Sequence, residues 1–458
     1  MQRRSPSPSV RVTRRAGLRR GLALACGTVL AGCAPTGTHP ARPGPSVPAV
    51  RLVVSLRYTG AATRASVVRS VVTTYIQQHF AARHRGVGVR ISIAPSATPS
   101  ATGAGGPTPA QLVAPLLAGS GPDVLSGSGY ALPAFMDGGL LVPLDGLIRQ
   151  SRLSLSGFDP GHLHVLRQTP QGLFALPAFD GPDVVLVNYS TIAALGQRAP
   201  AADWTAAEAV TLWRQLAGTR TGAHHFGMAF NLQEYFLHLF GGHLMNASGT
   251  RCRLDSPLVV QAANWLVPLY QSGVADVVVN GAGGDVRRGI AACGMTGGSS
   301  LQADLLAMES RRVHWDFLPM PLFPGGRRAT ANNGDWYGMN AHSRNPQTLV
   351  WELLRFVVTD PGLARLLFRT TFVPPNLRSL WPEWLSAVRA AAPVLRTKNL
   401  EAFAQAMDYG VCNHRFRHQP YACDNILRKW IIRIFLGTVS PALALHEACT
   451  AIDALQRG

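Results

Sequence analysis

Hydrophobic positions in residues 51 to 93 fall into three stretches that differ in their period. Arg51 to Arg57 alternates β-branched and polar residues, which predicts a strand. Thr63 to Phe80 carries apolar residues at helical spacing, and Gly88 to Ile93 alternates again. A strand, a helix and a second strand at this spacing predict a parallel βαβ unit.

The same alternation of short strands and helices continues along the chain. Residues 119–125 predict a return to a strand, and Asp159 and Pro160 are placed as the N-cap and first residue of a helix. Trp204 to Glu208 has the pattern of a capping box, in which Thr205 caps the helix and Glu208 reaches back. No repeat of fixed period is visible. The alternation of strands and helices indicates an α/β protein. Further strands are predicted at Gly172–Pro177, Asp183–Tyr189, Ala291–Met295, Val313–Met320 and Gly338–Asn340.

The first 33 residues have the pattern of an export signal. A basic segment precedes an apolar run, Gly21 to Leu30, which is too short for a permanent membrane span. The run ends in Leu30-Ala31-Gly32-Cys33, which resembles a bacterial lipobox and predicts lipidation of Cys33; an ordinary signal peptide is the alternative. Residues 13–19 resemble a twin-arginine signal with Gly17 at the usual Phe position, so Sec and twin-arginine export both stay open.

Composition narrows the class of protein further. Residues 34–49 are small or polar and predict a flexible tether. The formal charge is +19, of which about +12 stays on the chain after the signal. No dense basic run with interleaved aromatic residues follows the signal, so we expect no nucleic-acid partner. No later segment is apolar over the ~18 residues that a membrane helix needs.

Five cysteines follow Cys33, and an exported protein can keep disulfides. The short separation of Cys412 and Cys423 predicts a local bridge between them, and Cys449 is expected to be the free thiol. Cys252 with Cys293 is a further pairing that the sequence leaves open. Cys412, His414, His418 and Cys423 could also bind zinc, but their spacing fits no zinc pattern, so we expect no metal.

A series of motifs in fixed order resembles one family, the extracellular solute-binding proteins of ABC importers of the maltose-binding type. Each motif is weak alone, and their order and spacing carry the resemblance over nearly the whole chain after the signal. The motifs are Gly121-Pro122-Asp123-Val124, Phe135 to Leu144, Gly172 to Pro177 with Val187-Asn188-Tyr189, Pro200 with Trp204-Thr205, Gly289 to Met295, Gly334 to Asn340 with Val350 to Asp360, and Ser440 to Leu455.

This resemblance implies an α/β fold of the type 2 periplasmic-binding class, with two lobes, crossing hinge strands and a central ligand cleft. The expected division is a signal at 1–33, a tether at 34–49, one lobe at 50–177 and 322–372, and a second lobe at 178–321 and 373–458. The chain should cross between lobes near Pro177, Leu318–Pro321 and Phe372–Pro375. A ligand that contacts both lobes would favour the closed state.

The implied function is capture of a sugar or related polyol for a membrane permease of the ABC class. We expect a monomer without cofactor, held by its lipid at the periplasmic or outer face of the cytoplasmic membrane. Open alternatives are a non-sugar solute such as a sugar phosphate, a polyamine or an opine-like compound, and a lipoprotein that senses or scaffolds without transport. Catalytic motifs such as a nucleophile elbow, a P-loop or His-Glu-x-x-His are absent from the sequence, so we expect no enzyme.

Candidate ligand-binding residues combine aromatic rings, which stack on sugar faces, with polar groups that orient hydroxyls. The richest cluster is residues 332–338, which the resemblance places at the cleft, and the others follow predicted strands or the first crossing. The alternative for each aromatic residue is a place in the core. The candidates are Tyr58, Ser126, Ser128, Tyr130, Asp180, Asn231, Tyr235, Phe236, Ser299, Asn333, Asp335, Trp336 and Tyr337.

Overall fold

The first strand and helix set the frame of the fold, and both form where the hydrophobic period predicts them. In a computed structural model, Val50–Arg57 (β1) pairs in parallel with Val87–Ala94 (β2) across Ala62–His79 (α1), which confirms the βαβ unit. The structure describes residues 50–57, 62–94, 109–128, 131–167, 172–179, 181–220, 223–231, 239–246, 249–278, 282–324, 326–332, 334–411 and 416–457.

Strands and helices alternate through the rest of these ranges. The further strands are β3 Val124–Ser128, β4 Ala175–Phe179, β5 Asp183–Asn188, β6 Gly218–Arg220, β7 Ala223–Asn231, β8 Ala275–Val278, β9 Ala291–Gly297, β10 Trp315–Leu318, β11 Thr330–Ala331, β12 Asp335–Met339 and β13 Gly410–Val411. The helices that follow α1 are α2 Pro109–Leu117, α3 Leu132–Asp137, α4 Asp145–Gln150, α5 Pro160–Leu166, α6 Tyr189–Ala194, α7 Ala206–Leu216, α8 Pro257–Gln271, α9 Ala282–Arg288, α10 Leu301–Ser310, α11 Gln347–Thr359, α12 Pro361–Thr371, α13 Trp381–Ala391, α14 Glu401–Tyr409, α15 Pro420–Phe435 and α16 Pro441–Gln456.

The strands form two large mixed sheets, each with its own hydrophobic core. The first sheet has the order β2-β1-β3-β12-β4, and the second has the order β10-β5-β9-β7-β6 with β8 paired to β7. One cluster of buried residues covers the first sheet and another covers the second. This two-sheet α/β architecture confirms the expected fold class.

Local sequence signals for helix starts are confirmed in atomic detail. The Asp159 carboxylate accepts a hydrogen bond from the His162 amide at 2.8 Å, so it caps α5. Thr205 and Glu208 form the capping box of α7, in which the Glu208 carboxylate accepts from the Thr205 amide at 2.7 Å. Asp123 is also structural, because its carboxylate accepts from the Val53 amide at 2.6 Å and thereby ties β3 to β1.

The cysteines pair differently from the expectation, and this is a correction. Cys252 and Cys449 form a disulfide with their Cα atoms 5.2 Å apart, so Cys449 is not the free thiol. Cys423 and Cys293 are buried free thiols. The Cys423 thiol faces inward from α15 and accepts a hydrogen bond from the Gln456 amide at 3.2 Å, so it is not bridged to Cys412. Cys412 itself lies outside the described residues.

The described residues can be searched for a metal-binding group and for a membrane-spanning helix. Within the described ranges, no group of three or more His, Cys, Asp or Glu side chains is arranged to hold a metal ion. His418 contacts the Asp137 carboxylate at 3.2 Å, whereas His414 lies outside those ranges. Among the helices that the structure describes, none has both the length and the hydropathy needed to span a bilayer.

Candidate functional site

The carboxyl ends of several strands of the first sheet lie at one edge. β1, β2 and β3 run parallel, and β4 runs the same way because β12 is antiparallel to both β3 and β4. Ser128 and Phe179 end their strands opposite Asp335, which begins β12. Polar residues therefore collect where open α/β sheets bind their ligands.

The second sheet presents a matching edge. β7, β8 and β9 are parallel and end at Asn231, Val278 and Gly297. β5 runs the opposite way, so its first residue, Asp183, pairs with Gly297 at that edge. A short 3-10 turn, Gly298–Ser300, follows β9 and leads into α10.

Short connections join the two edges. The chain leaves the first sheet at Phe179 and enters the second at Asp183, so the first crossing spans only a few residues. There the Gly181 amide donates to the Asn332 side-chain oxygen at 3.0 Å, and the Thr330 hydroxyl donates to the Asp183 carbonyl at 2.9 Å. Thr330 and Asn332 belong to the second crossing, which is the segment between β10 and β12. The second crossing is therefore hydrogen-bonded to the first, and the two sheet edges adjoin at this point.

A third crossing packs beside the other two. The Asn376 side chain donates to the carbonyl oxygens of Pro177 at 2.8 Å and Val358 at 2.9 Å, which fixes the segment after α12. This segment and Tyr337 line a mostly apolar cavity of about 50 Å³ behind the first crossing. Its lining is mostly apolar, whereas polar residues collect where the sheet edges meet.

Asp183 is the most unusual polar group at this place. Its side chain is buried, and its Oδ2 atom has no hydrogen-bond partner among the described residues. Burial raises the pKa of Asp183 from 3.8 to about 8, which favours the neutral carboxyl over the carboxylate. A neutral carboxyl can both donate and accept a hydrogen bond.

The glycine opposite Asp183 makes room for the carboxyl. A Cβ atom on Gly297 would lie 2.7 Å from Asp183 Oδ1 and 3.9 Å from the Ser299 hydroxyl. The missing side chain therefore lets the carboxyl lie against β9 and brings it towards Ser299. Ser299 is partly exposed at the carboxyl end of β9, where the sequence places a ligand-binding residue.

Asp183 follows the first crossing together with Phe179 and Asp180, and of these the sequence favours Asp180 as the ligand-binding candidate. The available signal is an acid at the start of an otherwise apolar strand, Val184 to Val187, all of which is buried. Charged residues are rarely fully buried unless they are paired. An ionisable residue at the first position of a wholly apolar run is therefore the pattern that would find it.

Trp336 is a correction to the expected stacking platform. The ring is fully buried in the first core and packs edge-on against Phe135 with 5.4 Å between ring centroids. A Cβ atom on Gly127 would lie 2.5 Å from the Trp336 ring, so the indole fills the space above this glycine. The ring offers no exposed face to a ligand.

Three further candidates are also buried. The Ser126 hydroxyl lies 3.2 Å from the Ser55 hydroxyl inside the first sheet, so Ser126 belongs to β3 rather than to the segment after it. Tyr337 is buried on the opposite face of β12 from Trp336, and burial, with the neighbouring Asp335 charge, raises the pKa of Tyr337 above its usual range. Asp335 is buried at the edge itself, between Ser128 and Phe179.

Two further candidates are described by their backbones alone. Ser128 and Asn231 are the last residues of β3 and β7, so their backbones lie at the two edges. Phe230, next to Asn231, also lies in β7. The remaining candidates lie outside the described residues, and they are Tyr58, Tyr130, Asp180, Tyr235, Phe236, Asn333 and Cys33.

The core position of Trp336 can be tested together with Gly127. We expect Trp336→Phe to lower the free energy of unfolding by about 2 kcal/mol, because the smaller ring leaves a void beside Phe135. Gly127→Ala should cost about 1–3 kcal/mol by overpacking against the indole. In urea titrations the double variant should cost less than the sum, because the phenyl ring vacates the space that the new methyl needs. Strict additivity would contradict this packing.

Comparison with known proteins agrees with this architecture. Residues 66–364 match the model of a family described as bacterial extracellular solute-binding protein. Among curated protein sequences, none matches this chain at a significant level.

Solved structures with the same fold come from several bacteria. The ABC substrate-binding protein Lmo0181 from Listeria monocytogenes, in complex with cycloalternan, has a TM-score of 0.69 at 14% identity, covering 88% of this chain and 98% of its own. The cyclic alpha-maltosyl-1,6-maltose binding protein from Arthrobacter globiformis has a TM-score of 0.68 at 19% identity, covering 89% and 99%.

The sugar-binding protein MalE from Xanthomonas citri has a TM-score of 0.67 at 17% identity, covering 89% of this chain and 97% of its own. At these identities the likeness shows the fold alone, which is the two-sheet arrangement described above. The family match runs from within α1 to within α12 and includes every strand of the two large sheets except β1. The chain belongs to the bacterial extracellular solute-binding proteins.

Proposed function

We propose that this protein captures a neutral carbohydrate between two lobes and delivers it to the permease of an ABC importer. In this proposal the lobes are residues 50–177 with 322–372 and residues 178–321 with 373–458. The observation that carries the ligand class is the buried Asp183 carboxyl at the point where the two sheet edges adjoin, opposite Gly297 and close to the start of the turn that holds Ser299; burial favours its neutral form.

The chemistry of this place favours a neutral polyhydroxy ligand over a charged one. An uncharged carboxyl and a hydroxyl can each donate and accept, which suits sugar hydroxyls. A sugar phosphate needs cations, and the nearby Arg287 guanidinium already donates to the buried Asp304 carboxylate at 2.5 Å. A polyamine needs an anionic site, and burial disfavours the anionic form of Asp183.

Structural relatives support the same ligand class. The Listeria monocytogenes protein was solved in complex with cycloalternan, the Arthrobacter globiformis protein is named for binding cyclic alpha-maltosyl-1,6-maltose, and the Xanthomonas citri protein is named for binding sugar. We extend this to a lipid-anchored receptor, with Cys33 as the lipidated residue after the signal. The anchor would keep the receptor close to its permease at the outer face of the cytoplasmic membrane.

A thermal-shift screen tests the ligand class. Neutral linear and cyclic oligosaccharides should raise the melting temperature of the full chain, whereas sugar phosphates and polyamines should not. A ligand that binds only the folded state adds about 2.7 kcal/mol of stability at a hundred times its Kd. A rise with charged ligands alone, or with no sugar at all, would contradict the proposal.

A further inference from the structure

The largest exposed apolar side chains of the described residues include three at the end of one helical hairpin. α15 and α16 pack antiparallel, and the turn between them is residues 436–440. Leu436 is 65% exposed, Leu443 is 53% exposed and Ile432 is 45% exposed. We call these three residues, with Lys429, Trp430 and Arg433, the hairpin tip.

The core of the hairpin does not need these exposed side chains. α15 buries Leu427, Ile431 and Ile434 on its inner face, and α16 buries Leu445 and Ile452. Ile432 and Leu436 are four residues apart, so they share a different face of the helix. Exposed aliphatic residues grouped at one place usually mark an interaction surface.

The turn holds the apolar side chains in a fixed position. The Gly437 amide donates to the Ile434 carbonyl at 3.0 Å, and Gly437 has a φ of 69°, so the end of α15 closes in a left-handed cap. The Ser440 hydroxyl accepts from the Leu443 amide at 3.4 Å and caps α16. Leu436 and Leu443 therefore project from two capped helix ends.

The hairpin tip is also basic. The Arg433 guanidinium lies over the Trp430 ring at 4.5 Å, and the Lys429 ammonium lies 5.9 Å from the same ring. Arg428 adds a further cation one residue earlier. Between Asp424 and Glu447 the sequence contains no acid, so this end of the hairpin itself supplies only basic charges.

We propose that the hairpin tip docks on the anionic surface of a phospholipid bilayer. Basic residues attract anionic headgroups, leucine and isoleucine insert at the boundary of the acyl chains, and tryptophan is favoured at that depth. The proposal goes beyond solute capture and does not depend on the identity of the ligand.

Binding of an anchor-free chain to vesicles tests the proposal. The full chain with Cys33→Ser should sediment with vesicles that contain phosphatidylglycerol and not with pure phosphatidylcholine vesicles. Near 1 M salt, where the screening length is about 3 Å, binding should largely disappear. Each basic residue near an anionic surface strengthens binding about fivefold, so Lys429→Glu with Arg433→Glu should weaken it by more than tenfold.

The apolar part and the controls are tested in the same assay. Ile432→Ser with Leu436→Ser should also weaken vesicle binding at least tenfold and leave the melting temperature unchanged, because both side chains are exposed. Two variants are the matched controls and should bind like the parent. One is Leu306→Ser, at a residue 54% exposed on α10, and the other is Arg85→Glu with Arg90→Glu, at exposed residues of the turn before β2 and of β2 itself.

Three results would overturn the proposal. One is the absence of any binding that depends on phosphatidylglycerol, and another is equal binding by the hairpin-tip variants and the parent. The third is a dimer of the parent, measured by light scattering, that the hairpin-tip variants dissociate. That result would assign the surface to a second copy of the chain.

Discussion

Removing the disulfide by replacing Cys252 and Cys449 with alanine should lower the free energy of unfolding by about 5 kcal/mol. The two residues are 197 positions apart in sequence, so the bridge closes a very long loop and restricts the unfolded chain strongly. Both residues are buried, and the Cys252 amide donates to the Asp453 carboxylate at 2.7 Å, a contact that the variant keeps. Urea titrations of the variant and the parent, each with and without reductant, measure the loss.

Cys423→Ala is the matched control, because Cys423 is a buried cysteine that carries a free thiol. It should cost far less, and reductant should not change that cost. Peptide mapping without reductant should join the peptides of Cys252 and Cys449. A parent whose stability is unaffected by reductant, or a bridge that contains Cys423, would contradict the structure.

Asp183→Asn should remove a large pH dependence of stability. The folded-state pKa of about 8 lies above the ordinary value of 3.8, so the folded protein binds this proton more tightly than the unfolded chain. The free energy of unfolding of the parent therefore falls as pH rises between these two values. Above pH 8 the accumulated cost of the buried charge is on the order of 5 kcal/mol, and asparagine avoids it.

A second buried acid, Asp304, titrates in the same pH range. Burial also raises the pKa of Asp304, to about 6, although Arg287 and Thr296 lower it in part. Asp304 is half ionised near pH 6 and is present in both proteins, so the difference between Asp183→Asn and the parent from pH 6 to 8 reports Asp183. Melting curves across this range give the slope, and parallel curves for the two proteins would show that Asp183 does not carry a raised pKa.

The sequence predicts those parts of the fold that depend on neighbouring residues. Alternation in β1 and β2 and the helical period of α1 identify the βαβ unit, because each period decides which face is buried. The caps at Asp159 and Thr205 are equally local, since each side chain bonds an amide three residues away.

The candidate site is less accessible to sequence reasoning because burial is a property of the whole fold. Polar residues around Trp336 suggest a surface turn, yet helices cover both faces of β12 and bury Trp336 and Tyr337 on opposite sides. The partner of Cys449 lies 197 residues away, and the sequence near either cysteine carries no sign of the other. The importance of Asp183 likewise depends on Gly297, which only the pairing of β5 with β9 places opposite it.

A crystal structure of the full chain with a neutral oligosaccharide selected by the thermal-shift screen tests the central claim most directly. The account predicts sugar density where the two sheet edges adjoin. On one side a sugar hydroxyl should lie within hydrogen-bonding distance of Ser299 or Asp183. On the other side the sugar should contact the last residue of β3 and the first residue of β12. Sugar bound to only one sheet edge, or elsewhere on the molecule, would contradict it.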